Sequence, residues 1–196
     1  MKPFHAALLV PFLAVLPSAC ASSEGSSTSE TARAAATIGT LEPATCGSIA
    51  RLHRFGDVYL AGQPAATDFE AVREAGVKTV LNLRPPTEQS GFDEGAAVKA
   101  LGLAYLNLPI SGPADLTDEA LGKARTLLNN AERPILVHCA SANRVGAIWI
   151  PWRVLDGGLG IEEAVAEAKT IGLRTPELEA RARDYVTRQG STQSSK

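Results

Sequence analysis

The sequence predicts an α/β fold, with a mostly parallel central sheet flanked by helices and a helical C-terminal part. Three observations carry this. Short β-rich apolar runs alternate with segments that begin on a capping residue and end on glycine. The most hydrophobic run, residues 134–138 (PILVH), is apolar at every position between its proline and its histidine, as a strand covered on both faces must be. Beyond that strand the periodicity is helical only.

Asp57 to Ala61 reads as the first strand of the pattern, stopping at Gly62-Gln63-Pro64. Thr67-Asp68-Phe69-Glu70 has the capping-box pattern and opens a helix that ends at Gly76. Val77 to Leu83 is a strand terminated by Arg84-Pro85-Pro86, where Arg84 reads as a solvated loop arginine. A helix over about Asp93 to Leu101 has Gly102 past its end, and Leu103 to Leu108 is a strand closed by Pro109. Thr117 caps a helix to about Asn130. After the buried strand come helices over Val145 to Leu155 (bent by Pro151), Ile161 to Ile171 and Pro176 to Arg188. Ile161, Ala164, Val165, Ala168 and Ile171 share one helical face and are expected in the core, as are Trp149 and Trp152. Asp156-Gly157-Gly158-Leu159-Gly160 follows a helix, so it reads as a helix stop and connector rather than a nucleotide loop.

Composition narrows the function. The chain has 196 residues, 45% hydrophobic and 20% charged, which suits one globular domain. Nineteen basic and 21 acidic residues leave a net charge of -2, without the basic excess of a general nucleic-acid binder, so no nucleic-acid partner is expected. Three cysteines and three histidines show no metal-ligand spacing, and neither a metal nor an organic cofactor is expected.

Residues 1–20 read as a signal peptide. Lys2 supplies the positive start, and the eleven-residue apolar run Ala6 to Leu16 is short of the ~20 residues a spanning helix needs. Ala19-Cys20-Ala21 fits a small-x-small cleavage site, whereas Leu16 to Cys20 resembles a lipobox with Pro17 out of pattern. Export to the periplasm is expected, with lipidation of Cys20 as a membrane tether on the second reading. Residues 21–42 read as a disordered tether, since fourteen of positions 21–40 are Ser, Thr or Ala. The folded domain is expected over 43–188 and a flexible polar tail over 189–196.

The chemistry is expected where the buried strand ends, because sites in open α/β sheets form beyond the carboxyl ends of strands. There the chain reads His138-Cys139-Ala140-Ser141-Ala142-Asn143-Arg144-Val145-Gly146: a strand, a loop of small residues, then a helix. Backbone N–H groups wrapped above a helix N-terminus make an anion cradle, and a thiol in that positive field favours the nucleophilic thiolate. Arg144 closes the loop with a guanidinium able to hold an oxyanion through two parallel hydrogen bonds.

HCASANRVGA resembles the signature loop of the cysteine-dependent dual-specificity and tyrosine phosphatases. More closely, the domain is similar to the small bacterial branch of beta-lactamase-hydrolase-like phosphatases and sulfur-transferase-like proteins. Phe55 to Pro64 (FGDVYLAGQP) and Val80 to Arg84 (VLNLR) look like the same branch, so the similarity covers about 55–155 and continues weakly to 188. The resemblance implies a protein tyrosine phosphatase-like fold. It implies Cys139 as nucleophile, Arg144 as ligand of the transferred group, the amides of Ala140, Ser141, Ala142 and Asn143 as oxyanion donors, and His138 as a residue fixing the loop. The substrate it implies is phosphorylated or sulfur-donating.

The chain departs from that pattern in three places. Four residues, not five, separate Cys139 from Arg144, the shorter spacing of rhodanese-type sulfurtransferases. Val145 replaces the usual Ser or Thr. Ser111-Gly112-Pro113 stands where the family's acid loop begins, leaving Asp115 as the candidate general acid and Asp118 for the next helical turn. Three readings are open: a phosphatase working through a thiophosphate on Cys139, a sulfurtransferase carrying a persulfide there, or a catalytically weak anion-binding module. An inert buried thiol and a Cys46–Cys139 disulfide are the alternatives for the cysteine itself.

Overall fold

The computed structural model describes residues 39–88 and 90–193; Cys20 and the segments read as leader and tether up to residue 38 lie outside them. Six strands form one sheet: β1 (Leu41–Pro43), β2 (His53–Phe55), β3 (Val58–Ala61), β4 (Thr79–Asn82), β5 (Ala104–Asn107) and β6 (Ile135–His138), in the spatial order β1-β2-β3-β6-β4-β5. The first two pairings are antiparallel and the other three parallel. The sheet is therefore mostly parallel and flanked by helices, as the alternating pattern predicts.

Alternation along the strands feeds two cores. Leu60, Leu81, Ile135 and Val137 face one side, where they meet α3 (Asp118–Asn130), α4 (Asn143–Pro151), α5 (Ile161–Ile171) and α6 (Pro176–Gln193). Val80 and Leu136 face the other, against Phe69 and Val72 of α1 (Asp68–Glu74) and Val98 of α2 (Glu94–Ala100). Trp149 and Trp152 are fully buried, with Phe55 edge-on to both at 5.3 and 6.3 Å. The Ile161–Ile171 stripe packs as expected, with Ala164, Val165, Ala168 and Ile171 buried.

Some local readings change. Thr67 makes no side-chain cap, and Glu70 turns instead to Arg73. Asp68 instead ties the helix start to two loops, accepting from Ala65 N–H at 2.8 Å and Ser48 N–H at 2.7 Å. The helix after the loop starts two residues early, at Asn143. It passes at Pro151 into a π-helical turn over Trp152–Asp156, since proline offers no N–H to the α-helical ladder. The last helix runs to Gln193 rather than Arg188, and β1 begins at Leu41, before the expected domain start. Thr117 caps α3 by accepting from Ala120 N–H. No helix among the described residues is long and apolar enough to cross a membrane.

Two contacts fix where α4 begins. A Cβ on Gly146 would lie 2.7 Å from the Ala168 carbonyl, so only glycine lets α4 and α5 approach this closely. At Gly172, φ +145°, an added Cβ would lie 3.0 Å from Ala142 Cβ and 3.1 Å from Ser141 O, so this turn runs close under the loop. The register of β3, β6 and β4 then aligns Ala61, His138 and Asn82 at one edge of the sheet. The loops that leave the sheet after these three residues form the candidate site.

Candidate active site

Beyond His138 the chain must turn from a buried strand into a helix within a few residues. It does so through Ala142, which sits in the left-handed region at φ 62°, a conformation costing a non-glycine residue roughly 1–2 kcal/mol. The carbonyl of Ala140 accepts from Gln63 N–H (3.3 Å) and that of Ser141 from Arg174 (3.4 Å). A trans peptide points its N–H opposite its carbonyl, so the Ser141 N–H points away from Gln63, and an antiparallel bridge between Gly62 and Ser141 ties the loop to the end of β3. The N–H groups of Asn143, Arg144 and Val145 open α4 and have no acceptor within it, the first helical bond being Gly146 N–H to Ala142 O at 3.0 Å. The loop thus leads directly to the open N-terminus of α4.

Cys139 and Arg144 bound that place. Cys139 is fully buried at the end of β6, and its charge acts on the Arg144 guanidinium. Burial works against the Arg144 charge, but the Glu88 carboxylate and the Cys139 sulfur hold it above its ordinary value. Nη1 of Arg144 donates to Ile110 O (2.7 Å) and to Glu88 Oε2 (2.8 Å), and Nη2 to Glu88 Oε1 (2.9 Å). The planar fork is thereby held end-on, with its Nε edge left for another oxyanion.

Glu88 is one of the residues that the sequence alone does not single out. Pro86 stands second in a turn closed by Glu88 N–H to Pro85 O (2.9 Å), and this turn returns the carboxylate to the strand end. Arg84 is not a solvated arginine: it is buried, donates to Glu88 at 3.0 Å and pairs with Gln63. Glu88 thus stands between two arginines, which hold its carboxyl below the ordinary value despite burial. The pattern Arg-x-x-x-Glu behind two prolines is the only sequence signal for this.

His138 is buried behind the loop, its Nε2 2.9 Å from Glu94 Oε1, while its Nδ1 has no partner among the described residues. Glu94 also accepts from Gln63 at 2.6 Å. Burial pushes the Glu94 carboxyl up, but His138, Gln63 and Arg84 more than offset it and leave it below its ordinary value.

Asp115 lies on the loop that follows Ile110, the residue whose carbonyl holds Arg144. It is exposed and accepts from Ser111 N–H at 2.7 Å, which holds its carboxyl low. Asp118 sits in the first turn of α3 and pairs with Arg188 at 2.5 Å. Cys46 and Cys139 are both free and belong to the cores on opposite sheet faces, so the disulfide alternative falls. Among the described residues no cluster of three or more His, Cys, Asp or Glu is placed to hold a metal ion. A cavity of about 540 Å³ lined by Asn82, Arg84, Glu88, Phe92, Tyr105 and Asn107 lies beside the loop. It shares Glu88 and Arg84 with the cradle but is lined by neither Cys139 nor Arg144.

A parallel-sheet fold whose loop brings a cysteine and an arginine together at a helix N-terminus defines the class of phosphatase-like α/β domains. Within that class, the chain belongs to the family described as beta-lactamase hydrolase-like protein, phosphatase-like domain, whose model matches residues 54–153. It is 30% identical over 117 residues to the beta-lactamase hydrolase-like protein of Agrobacterium fabrum C58, a match covering 58% of this chain and 27% of that one. The corresponding protein of Xylella fastidiosa Temecula1 is 32% identical over 111 residues, 55% of this chain and 26% of that one. The matched region thus spans about a quarter of these curated relatives. Among solved structures, TpbA of P. aeruginosa superposes with a TM-score of 0.57 at 21% identity, covering 74% of this chain and 89% of that one. Tk-PTP in its active form gives 0.55 at 20%, covering 68% and 93%. At these identities the likeness establishes the shared fold.

Proposed function

We propose that this chain is a cysteine-dependent phosphatase that cleaves phosphate monoesters through a thiophosphate on Cys139. The observation that carries the reading is the Arg144 guanidinium, held end-on by Glu88 in the first turn of α4, five residues after the buried Cys139 and above the unbonded N–H groups of that helix. The Cys139 thiolate attacks phosphorus, the S–P bond forms, and the P–O bond to the leaving group breaks. The Nε edge of Arg144 and the amides of Ala140, Ser141, Ala142 and Asn143 hold the equatorial oxygens, and His138 braces the start of the loop through Glu94. Water then attacks phosphorus, releases phosphate and restores the thiolate. A variant of TpbA in which cysteine is replaced by serine has been crystallised with pTyr, which favours an aryl ester as the first substrate to offer.

Asp115, held ionised by its own turn, does not supply a proton readily, so the leaving group takes its proton from solvent. This confines turnover to esters with acidic leaving groups. The test is phosphate release from para-nitrophenyl phosphate by the reduced full chain beside Cys139→Ser. Turnover that requires Cys139 supports the reading, and a folded, inactive wild type sinks it.

A second reading rests on the four-residue loop and the poor acid. In a sulfurtransferase, Cys139 would take the outer sulfur of thiosulfate, release sulfite and pass the sulfur to an acceptor nucleophile, with no acid required. Thiocyanate formation from thiosulfate and cyanide tests it. We further propose export to the cell envelope, on the character of residues 1–20. Radiolabelled fatty acid incorporated by the full chain, and lost in Cys20→Ser, would establish the lipid tether.

A further inference from the structure

The turn between α5 and α6 supports the outer side of the Cys139–Arg144 loop. Asn143 Oδ1 accepts from the N–H groups of Arg174 (2.8 Å) and Thr175 (3.3 Å), and Asn143 Nδ2 donates to Thr175 Oγ1 at 2.7 Å. The exposed Arg174 side chain lies along the loop, with Nη2 2.6 Å from Ser141 Oγ and Nη1 3.3 Å from Gly172 O. Arg84 and Arg144 share the Glu88 carboxylate, but no carboxylate among the described residues pairs with Arg174. Its Nε–H has no partner there either. Because Ser141 Oγ accepts from Arg174, its own O–H remains to donate outward. A fixed cation, a free N–H and a hydroxyl donor therefore stand together at the rim of the anion cradle.

We propose that Arg174 and Ser141 form a second oxyanion subsite, so that the preferred substrate carries a second phosphate group near the one that Cys139 attacks. The proposal rests on the phosphatase reading above, because the first phosphate must occupy the cradle for the second to reach the rim. A carboxylate could also accept from both donors, but a phosphate carries about -1.5 to -2 charge against -1, so the Arg174 cation favours it more strongly. Arg144 and the amides then hold the scissile group while Arg174 selects its neighbour. Discrimination of this kind arises from one additional charge-assisted contact, whose effect is about tenfold in affinity.

The experiment is equilibrium binding by calorimetry to the full chain carrying Cys139→Ser, reduced, with propyl phosphate against 1,3-propanediol and 1,4-butanediol bisphosphates. At least one bisphosphate is expected to bind about tenfold more tightly than propyl phosphate. Adding Arg174→Gln, which keeps a donor for Ser141 but removes the charge, is expected to bring that ratio close to one. Equal binding of all probes with Arg174 in place overturns the subsite and leaves the cradle standing. So does a bisphosphate preference that survives Arg174→Gln. A parallel loss of all three ligands in the variant would make Arg174 a loop brace only and likewise overturn it. If propyl phosphate itself does not bind the folded Cys139→Ser chain, the phosphatase reading falls and the subsite with it.

Discussion

The Glu88 carboxylate meets Arg144 end-on, 2.8 Å from Nη1 and 2.9 Å from Nη2, while Arg84 reaches the same carboxylate at 3.0 Å. This geometry sets the direction of the guanidinium before any substrate arrives. An arginine held by a carboxylate and a carbonyl has little rotamer freedom left to lose when an oxyanion binds along its Nε edge.

Glu88→Gln keeps the size of the side chain and one acceptor but loses the charge and the second acceptor. A charge-assisted contact contributes roughly 1.5–3 kcal/mol, so kcat/KM for an aryl phosphate is expected to fall about 10- to 100-fold. Glu88 touches Arg144 rather than substrate, so it is a positioning residue. Both kcat and KM should move, and Glu88→Asp should recover less than Glu88→Gln loses. Steady-state kinetics on the three proteins checks this, and a Glu88→Gln enzyme with wild-type kinetics would refute it.

Ala142 bears the strain of the left-handed turn with a side chain that glycine would not carry. Ala142→Gly removes roughly 1–2 kcal/mol of strain and returns roughly 0.5–1 kcal/mol in unfolded-chain entropy, so a net gain of about 0.5–1 kcal/mol is expected. Gly172→Ala is expected to act in the opposite direction, because its Cβ would stand 3.0 Å from Ala142 Cβ and 3.1 Å from Ser141 O at a φ that L-residues avoid. Urea melts of the two variants should bracket the wild type. Equal midpoints would mean that the loop relaxes freely.

The buried Glu94–His138 pair gives a pH signature. The folded carboxyl of Glu94 lies below its ordinary value, and a group depressed in this way adds stability above its unfolded value of 4.5 that is lost as pH falls through the folded one. Glu94→Gln leaves a neutral amide beside His138. It is expected to cost about 1–3 kcal/mol at pH 7 and to flatten the fall in stability below pH 5. Denaturant melts at pH 7 and pH 4 read both effects. A variant as acid-sensitive as the wild type would remove Glu94 from this role.

Much of this architecture is legible from residue order alone. The apolar run 135–137, the small loop and Arg144 state strand, turn and helix within ten residues, because each step depends on local sequence. Glu88, Glu94 and Arg174 are not legible in that way. Each reaches the loop from another element, and their separations of 56, 44 and 33 residues from Arg144, His138 and Ser141 leave no local pattern. Arg84 is misread for a related reason: two prolines mark a turn, but whether its arginine faces water depends on where the chain returns. The Thr67 box fails because Glu70, its partner three residues on, pairs with Arg73 instead of returning to the Thr67 N–H.

Asp115 separates a phosphatase with an internal acid from one without. Its carboxylate accepts from Ser111 N–H at 2.7 Å, and that bond favours the ionised form, leaving little protonated acid at neutral pH. A working general acid contributes about 10²- to 10⁴-fold, so its removal would be unmistakable on a poor leaving group. Here Asp115→Asn is expected to change kcat on para-nitrophenyl phosphate by less than about threefold. The wild type itself should slow steeply as leaving-group pKa rises across a series of aryl phosphates. A flat dependence in the wild type, made steep by Asp115→Asn, would instead establish Asp115 as the acid, released from Ser111 when substrate binds.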